Sequence, residues 1–234
     1  VDASCKLMPR GTENFARGRA MTPETARRTV EFGIELAGRA REEGYHILGA
    51  GEVGMGNTTP AAACIMAALD SRDSDLVGRG GGLTDAAFKT KKRVILEALD
   101  RHRPAPQDAL DILSCVGGLD LAAMTGVFLG SAAYRVPAVV DGVIAIAAAL
   151  LASRIAPLSR EFLIASHRSV EPAYATVAEA MGLHPLVTLG MRLGEGTGCP
   201  IAMQIVDDAL TVMNEMGTFA EVSLESEYRE VLKQ

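Results

Sequence analysis

Residues 51–60, which read GEVGMGNTTP, combine closely spaced glycines with two threonines and a proline. Glycines let the backbone approach a ligand closely, and Thr59 followed by Pro60 is a typical start of a helix. Backbone amides and a helix N-terminus together bind phosphate, through N–H donors and the positive end of the helix dipole. The segment therefore predicts a phosphate-binding loop.

Two commoner phosphate motifs nearly match this segment. Residues 49–54 satisfy G-x-G-x-x-G with Asp70 further on, as in dinucleotide-binding proteins, but the predicted helix starts too far beyond the third glycine. Residues 51–58 approach the P-loop pattern, but Asn57 stands where a lysine would neutralise the β and γ phosphates. A monophosphate therefore fits this loop better than a dinucleotide or a nucleoside triphosphate.

A second glycine-rich segment, GRGGG at residues 78–82, is followed by Lys91. Its glycines are compatible with another close approach of the backbone to the same ligand, to which Lys91 would bring a positive charge. A flexible surface turn with a solvated lysine is the alternative interpretation.

One carboxylate stands out in residues 191–198, MRLGEGTG, where Glu195 lies between two glycines just before a predicted helix. Because it has no bulky neighbours in sequence, Glu195 can face a cavity and act as a general base. A partner for a helix dipole or an exposed turn residue are equally compatible interpretations. Glu52, in the first glycine loop, is a second candidate carboxylate.

Polar residues also follow two of the predicted strands. Asp141 is predicted either to hold ribose hydroxyls or to cap the helix after Gly142. Ser166 and Ser169 are predicted to donate hydrogen bonds near the phosphate or the ribose, and His167 to be a packing histidine. The G-x-S-x-G motif that would favour a hydrolase does not occur around them.

The elements that must position these residues alternate between strands and helices. Strands are predicted at residues 45–49, 138–140 and 161–165. Helices are predicted at residues 23–43, 60–69, 92–101, 108–115, 119–133, 143–152, 172–181 and 200–216. This alternation predicts an α/β fold with a Rossmann-like parallel sheet, helices on both faces and a small helical subdomain from the chain ends. Ligands of such sheets bind beyond the carboxyl ends of the strands, where the loops described above lie.

Composition narrows the class of partner. The 234 residues, 48% of them hydrophobic, are expected to form a single domain over 1–234, with helical flanks at 1–44 and 199–234. A net charge of −6 argues against nucleic acid and acidic membranes and favours small molecules. The four cysteines lie far apart and suggest reduced thiols of a cytoplasmic protein, with no metal site. Residues 136–152, the longest apolar run, are interrupted by Pro137 and by Asp141-Gly142 and fall short of the ~20 residues that cross a membrane.

Six segments together resemble one family, the nicotinate-nucleotide–dimethylbenzimidazole phosphoribosyltransferases, which activate the lower ligand base of cobamides. The segments are GEVGMGNTTPAAA (51–63), VGRGGGL (77–83), VGGLDLAAMTGVFLG (116–130), VPAVVDG (136–142), LIASHRS (163–169) and MRLGEGTG (191–198). They occur in the family's order, and the resemblance covers nearly the whole chain.

The resemblance implies transfer of the phosphoribosyl group of nicotinate mononucleotide to 5,6-dimethylbenzimidazole, without a metal or redox cofactor. It also implies a homodimer. Glu195 matches the family's catalytic base, and Glu52 and Lys91 match positions that support catalysis. The residues that would hold the substrate are Gly54, Gly56, Asn57, Thr58, Gly78, Gly80, Gly81, Asp141, Ser166, Ser169, Leu193 and Gly194.

The chain departs from the family in one respect. Family members carry an N-terminal region that contributes to the pocket of the aromatic base, and this sequence is expected to begin after that region. We therefore expect an intact nucleotide half and an incomplete acceptor half. A non-catalytic nucleotide-binding subunit or fragment of such an enzyme is one alternative function. An NAD-dependent Rossmann oxidoreductase is another.

Overall fold

The structure, a computed structural model, describes Met8, residues 10–218 and Glu221. Within these residues three strands alternate with helices. The strands are β1 (Leu48–Ala50), β2 (Ala138–Val140) and β3 (Leu163–Ala165). The helices are α1 (Pro23–Glu42), α2 (Thr58–Ala68), α3 (Asp85–His102), α4 (Ala109–Val116), α5 (Leu119–Tyr134), α6 (Val143–Ile155), α7 (Pro172–Met181) and α8 (Cys199–Glu215). Short 3₁₀ segments lie at Ser74–Leu76 and Pro157–Phe162.

The strands form one parallel sheet in the order β1-β2-β3. Gly49 lies opposite Val139, which in turn lies opposite Ile164. All three residues of β2 are buried, although successive side chains of a strand point to opposite faces. Both faces of the sheet are therefore covered, which confirms the predicted α/β fold. The carboxyl ends of the strands meet at one edge.

Local signals place several helices as predicted. Thr22 caps α1, since its hydroxyl oxygen accepts a hydrogen bond from the amide of Thr25 at 3.0 Å, and Pro23 occupies the first helical position. The predicted bounds of α7 and of β2 match the structure. Capping residues and strongly apolar runs are sufficient to predict these bounds, because both signals depend only on neighbours in sequence.

Other boundaries differ from the prediction. The sequence predicts Thr59 as the cap of α2, but the helix begins two residues earlier than predicted, at Thr58, and Asn57 occupies the capping position without a side-chain capping bond. β1 begins at Leu48 because Tyr45 is half exposed and does not join the sheet. α3 begins at Asp85, well before residue 92, because Thr84 caps it.

Small residues allow α1 and α5 to pack closely. A Cβ atom on Gly33 of α1 would lie 2.0 Å from the carbonyl oxygen of Ala123 of α5. A Cβ atom on Gly126 would lie 2.0 Å from the carbonyl oxygen of Val30. Only glycine therefore permits this backbone approach, and α5 is held firmly in the core.

The chain divides into two compact units, residues 1–202 and 203–234. The first unit contains the sheet, α1 to α7 and the start of α8, so the predicted N-terminal helical flank packs within the same unit as the sheet. The predicted C-terminal flank, 199–234, lies mostly in the second unit, and its last part falls outside the described residues. No helix among the described residues is both long enough and apolar enough to span a membrane.

Candidate active site

A cavity of about 740 Å³ lies in the first unit at the carboxyl edge of the sheet. Its wall comes from the loop after β1, from the start of α6 after β2 and from Glu171 after β3. Residues 79–83 and 192–195, which contain further glycines, and Lys91 of α3 also line the cavity. The cavity thus lies where parallel sheets bind their ligands.

Most of the residues singled out in the sequence line this cavity. They are Glu52, Gly54, Gly56, Asn57, Thr58, Gly80, Gly81, Lys91, Asp141, Leu193, Gly194 and Glu195. Among the described residues that were singled out, Gly78, Ser166 and Ser169 do not reach its wall.

The contacts of these three residues explain their positions. Ser166 is buried, and its hydroxyl donates to the carbonyl oxygen of Val140 at 2.9 Å. The hydroxyl oxygen of Ser169 accepts from the amide of Glu171 at 3.3 Å. Gly78 offers its carbonyl oxygen to Lys91. Ser169 and Gly78 thus contact the wall residues Glu171 and Lys91, whereas Ser166 bonds to the end of β2.

Lys91 connects two segments of the cavity wall. Its side chain is almost fully buried, and the ammonium donates to Thr58 Oγ1 and to the carbonyl oxygen of Gly78, both at 2.8 Å. Burial lowers the pKa of Lys91, and the nearby carboxylate of Glu171 opposes that shift. An ammonium has three donors, so one remains for an anion in the cavity. This donor lies beside the N-terminus of α2, whose dipole also favours an anion.

Glu195 occupies a turn with unusual backbone geometry. Its φ is +57°, between Gly194 at +76° and Gly196 at +77°. A non-glycine residue with positive φ costs of order 1 kcal/mol, so surrounding contacts must stabilise the turn. Within the turn, both the amide and the hydroxyl of Thr197 donate to the carbonyl oxygen of Gly194, at 3.0 and 2.7 Å.

Asp141 supports the same turn from the end of β2. The carboxylate is buried and accepts from the amide of Gly196 at 3.0 Å and from the amide of Gly198 at 2.8 Å. The suggestion that Asp141 caps α6 is wrong, because Gly142 occupies that position and no side-chain capping bond is present in the described structure. Asp141 links the sheet to the Glu195 turn.

His167 lies behind Asp141 and is fully buried. Its Nδ1 is 2.9 Å from Ser166 Oγ and 3.6 Å from Asp141 Oδ1. With the hydroxyl of Ser166 donating to the carbonyl oxygen of Val140, Ser166 Oγ can accept a hydrogen bond from a protonated Nδ1. Burial lowers the pKa of His167, with Asp141 opposing the shift, which favours a neutral ring. Nε2 has no hydrogen-bond partner among the described residues.

Glu52 is held by Asn57, and this contact involves a residue that sequence reasoning missed. The amide nitrogen of Asn57 donates to Glu52 Oε2 and, at 2.9 Å, to Oδ2 of Asp120 in the first turn of α5. Burial raises the pKa of Glu52, and the charges of Asp120 and Glu195 add to that shift. Asp120 lies 63 residues from Asn57, so nothing in the local sequence links them.

Three charged residues of the cavity wall were also missed, and they are Arg79, Glu171 and Arg192. Arg79 donates to the carbonyl oxygen of Leu83 at 2.9 Å, which closes the second glycine loop. Its only signal in the sequence is its place within GRGGG.

Among the described residues, no group of three or more His, Cys, Asp or Glu side chains is arranged to hold a metal ion.

At the carboxyl edge of this parallel α/β sheet, the cavity combines the buried ammonium of Lys91 and glycine-rich loops with the carboxylates of Glu52 and Glu195. A family model described as phosphoribosyltransferase matches residues 1–224. The chain belongs to the nicotinate-nucleotide–dimethylbenzimidazole phosphoribosyltransferase family.

Curated relatives bear that family's name. The one from Clostridium perfringens is 48% identical over 228 residues, which cover 97% of this chain and 63% of the relative. The one from Chloroflexus aurantiacus is 45% identical and covers 95% of this chain and 64% of the relative. A crystal structure of CobT from Thermus thermophilus superposes with a TM-score of 0.86 at 40% identity, over 92% of this chain and 64% of that one. The chain therefore spans less than two thirds of the length of these relatives.

Proposed function

We propose that this chain transfers the phosphoribosyl group of nicotinate mononucleotide to 5,6-dimethylbenzimidazole or a related base. The products are α-ribazole 5′-phosphate and nicotinate, for assembly of the cobalamin nucleotide loop. The observation that carries the proposal is the cavity itself, in which Lys91 and the glycine loops stand near Glu52 and Glu195. We further propose that the protein acts in the cytoplasm, as a homodimer.

The cationic corner of the cavity would hold the 5′-phosphate. The ammonium of Lys91 has a donor to offer, and glycines 54, 56, 80 and 81 expose backbone to the cavity. Thr58, at the start of α2, adds the positive end of a helix dipole. Charge-assisted hydrogen bonds of this kind are about twice as strong as neutral ones. Together they would fix the ribose with its C1′ in the cavity.

The chemistry at C1′ needs little acid catalysis. Nicotinate leaves from a pyridinium that already carries positive charge, so the C1′–N bond can break as an oxocarbenium-like centre develops. A ring nitrogen of the incoming base forms the new bond from the opposite face of the ribose. The proton of that azole passes to Glu195, whose turn is fixed by Asp141 and Gly51.

The direct test is to incubate the chain with nicotinate mononucleotide and 5,6-dimethylbenzimidazole and to follow both products by liquid chromatography and mass spectrometry. Release of nicotinate with formation of α-ribazole phosphate is expected. Calorimetric titrations with the mononucleotide, the base and NAD complete the test. Absence of mononucleotide binding would refute the nucleotide site, and binding without turnover would favour a non-catalytic subunit. Preferred binding of NAD would favour the oxidoreductase alternative.

The close approach of Gly51 to the Glu195 turn gives a first mutational prediction. A Cβ atom at Gly51 would lie 2.6 Å from the amide nitrogen of Gly196 and 2.7 Å from the carbonyl carbon of Glu195. Gly51→Ala must therefore displace the turn, and a shift of about 1 Å can cost about 10²-fold in rate. We expect this loss in kcat/KM, measured by steady-state nicotinate release.

Gly18→Ala is the matched control for this substitution. Gly18 has no heavy atom within 4 Å of the added Cβ and no positive φ, so its replacement should leave the rate unchanged. Equal rates for the Gly51→Ala variant and the unmodified chain would show that the position of the turn does not matter for turnover.

A further inference from the structure

The side chain of Asn57 joins two carboxylates that come from distant parts of the chain. Its amide nitrogen donates one hydrogen to Glu52 in the loop after β1 and the other to Asp120 in α5, the latter at 2.9 Å. Both donors of the amide are thus in use. Asn57 occupies the capping position of α2 but makes no side-chain capping bond.

The two carboxylates also fix which way the amide faces. A flipped amide would place its oxygen against two acceptors and lose both hydrogen bonds. Glu52 and Asn57 belong to a loop, whereas Asp120 belongs to the first turn of a helix that packs tightly against α1. Asp120 is therefore the rigid end of this chain of contacts.

The contacts also set the charge environment of Glu52. The ionisable groups that act on it are Asp120 from α5 and Glu195 from the turn, and both disfavour its ionised form. The hydrogen bond from Asn57 and one from the backbone of Glu195 favour the ionised form. A change at Asp120 should therefore alter both the position and the titration of Glu52.

We propose that Asp120 is a positioning residue for Glu52: it anchors the amide of Asn57 to α5 and thereby fixes the Glu52 carboxylate in the cavity. This inference rests on the proposed phosphoribosyl transfer, in which Glu52 supports catalysis. The alternative role of Asp120 is the general one of an acidic residue in a first helical turn, which stabilises the helix dipole alone.

Two substitutions in the full chain separate anchoring from charge. Asp120→Ala removes the acceptor, and we expect kcat to fall about tenfold while the dissociation constant of nicotinate mononucleotide changes less than about twofold. Asp120→Asn keeps an acceptor oxygen and should recover most of the turnover. In a Glu52→Gln background, Asp120→Ala should cause little further loss, because its effect passes through Glu52.

The second readout needs no turnover. Loss of the Asp120 charge removes a repulsion, so the Asp120→Asn variant should titrate the Glu52 carboxyl, followed by carbon-detected NMR, at lower pH than the unmodified chain. Glu24→Gln, which removes an exposed acid from the first turn of α1, is the control for the helix-dipole effect and should leave both kcat and the Glu52 titration unchanged.

The inference is overturned if Asp120→Ala lowers kcat equally with Glu52 or Gln at position 52, or if the Glu52 titration in Asp120→Asn is unchanged. It is also overturned if Asp120→Ala has full activity. Should the unmodified chain release no nicotinate, the proposed function fails. The NMR titration and the side-chain amide signals of Asn57 then still decide whether Asp120 holds Glu52.

Discussion

Replacing Glu195 with Gln is expected to lower kcat by about 10²–10⁴-fold, the usual contribution of a general base. Glutamine keeps the size of the side chain but cannot take the proton of the incoming azole. The backbone of the turn should persist, since its contacts with Asp141 use the amides of Gly196 and Gly198. Affinity for nicotinate mononucleotide, measured by calorimetry, is therefore expected to stay within about twofold.

Glu179→Gln provides the control for this experiment. Glu179 is an exposed residue of α7 and does not line the cavity, so its replacement should change neither kcat nor binding. Full turnover in the Glu195→Gln variant would show that another group removes the proton. A joint loss of binding and turnover would instead indicate that the turn has collapsed, which loss of amide protection at Gly196 would reveal.

Replacing Lys91 with Met is expected to raise the dissociation constant of nicotinate mononucleotide by about 10- to 100-fold. The expectation rests on a charge-assisted hydrogen bond to phosphate, worth about 1.5–3 kcal/mol. Methionine keeps the buried apolar part of the side chain. It provides neither the charge nor the hydrogen-bond donors to Thr58 and Gly78. Calorimetric titration measures the effect directly.

The pH dependence of binding gives a second measurement on the same residue. Because burial lowers the pKa of Lys91, its ammonium loses the proton at lower pH than an exposed lysine does. Affinity for the mononucleotide should therefore fall on the alkaline side, starting below the ordinary lysine range, and this fall should be absent in Lys91→Met. Lys89→Met, at an exposed position of the same helix, should behave like the unmodified chain. An unchanged dissociation constant for Lys91→Met would place the phosphate elsewhere.

Much of the fold could be predicted because its signals are local. Thr22 and Pro23 mark the start of α1 regardless of the rest of the chain, and the apolar run at β2 is recognisable from its own residues. The predicted element boundaries were wrong where contacts between distant parts of the chain determine them. The sequence predicted Thr59 as the cap of α2, whereas Asn57 occupies that position and its amide donates to two carboxylates, one of them 63 residues away.

The site could be predicted to the level of its loops but not to the level of its contacts. The glycine-rich segments picked out by their spacing line one cavity, since loops after parallel strands converge. The bonds of Asp141 to the Glu195 turn join residues more than 50 positions apart, and no local pattern reports them. The same holds for Asp120, which resembles an ordinary acidic residue at a helix start.

The turn at residues 194–196 has a consequence for chirality. Three successive residues have φ between +57° and +77°, which is the region that amino acids of the D configuration prefer. Two of the three are glycine, which has no handedness, and Glu195 alone bears the steric cost of being an L residue there. The proposed base therefore lies in backbone whose φ angles are those of D residues. A D-alanine introduced by chemical synthesis at Gly196 is expected to destabilise the turn less than the genetically encoded L-alanine.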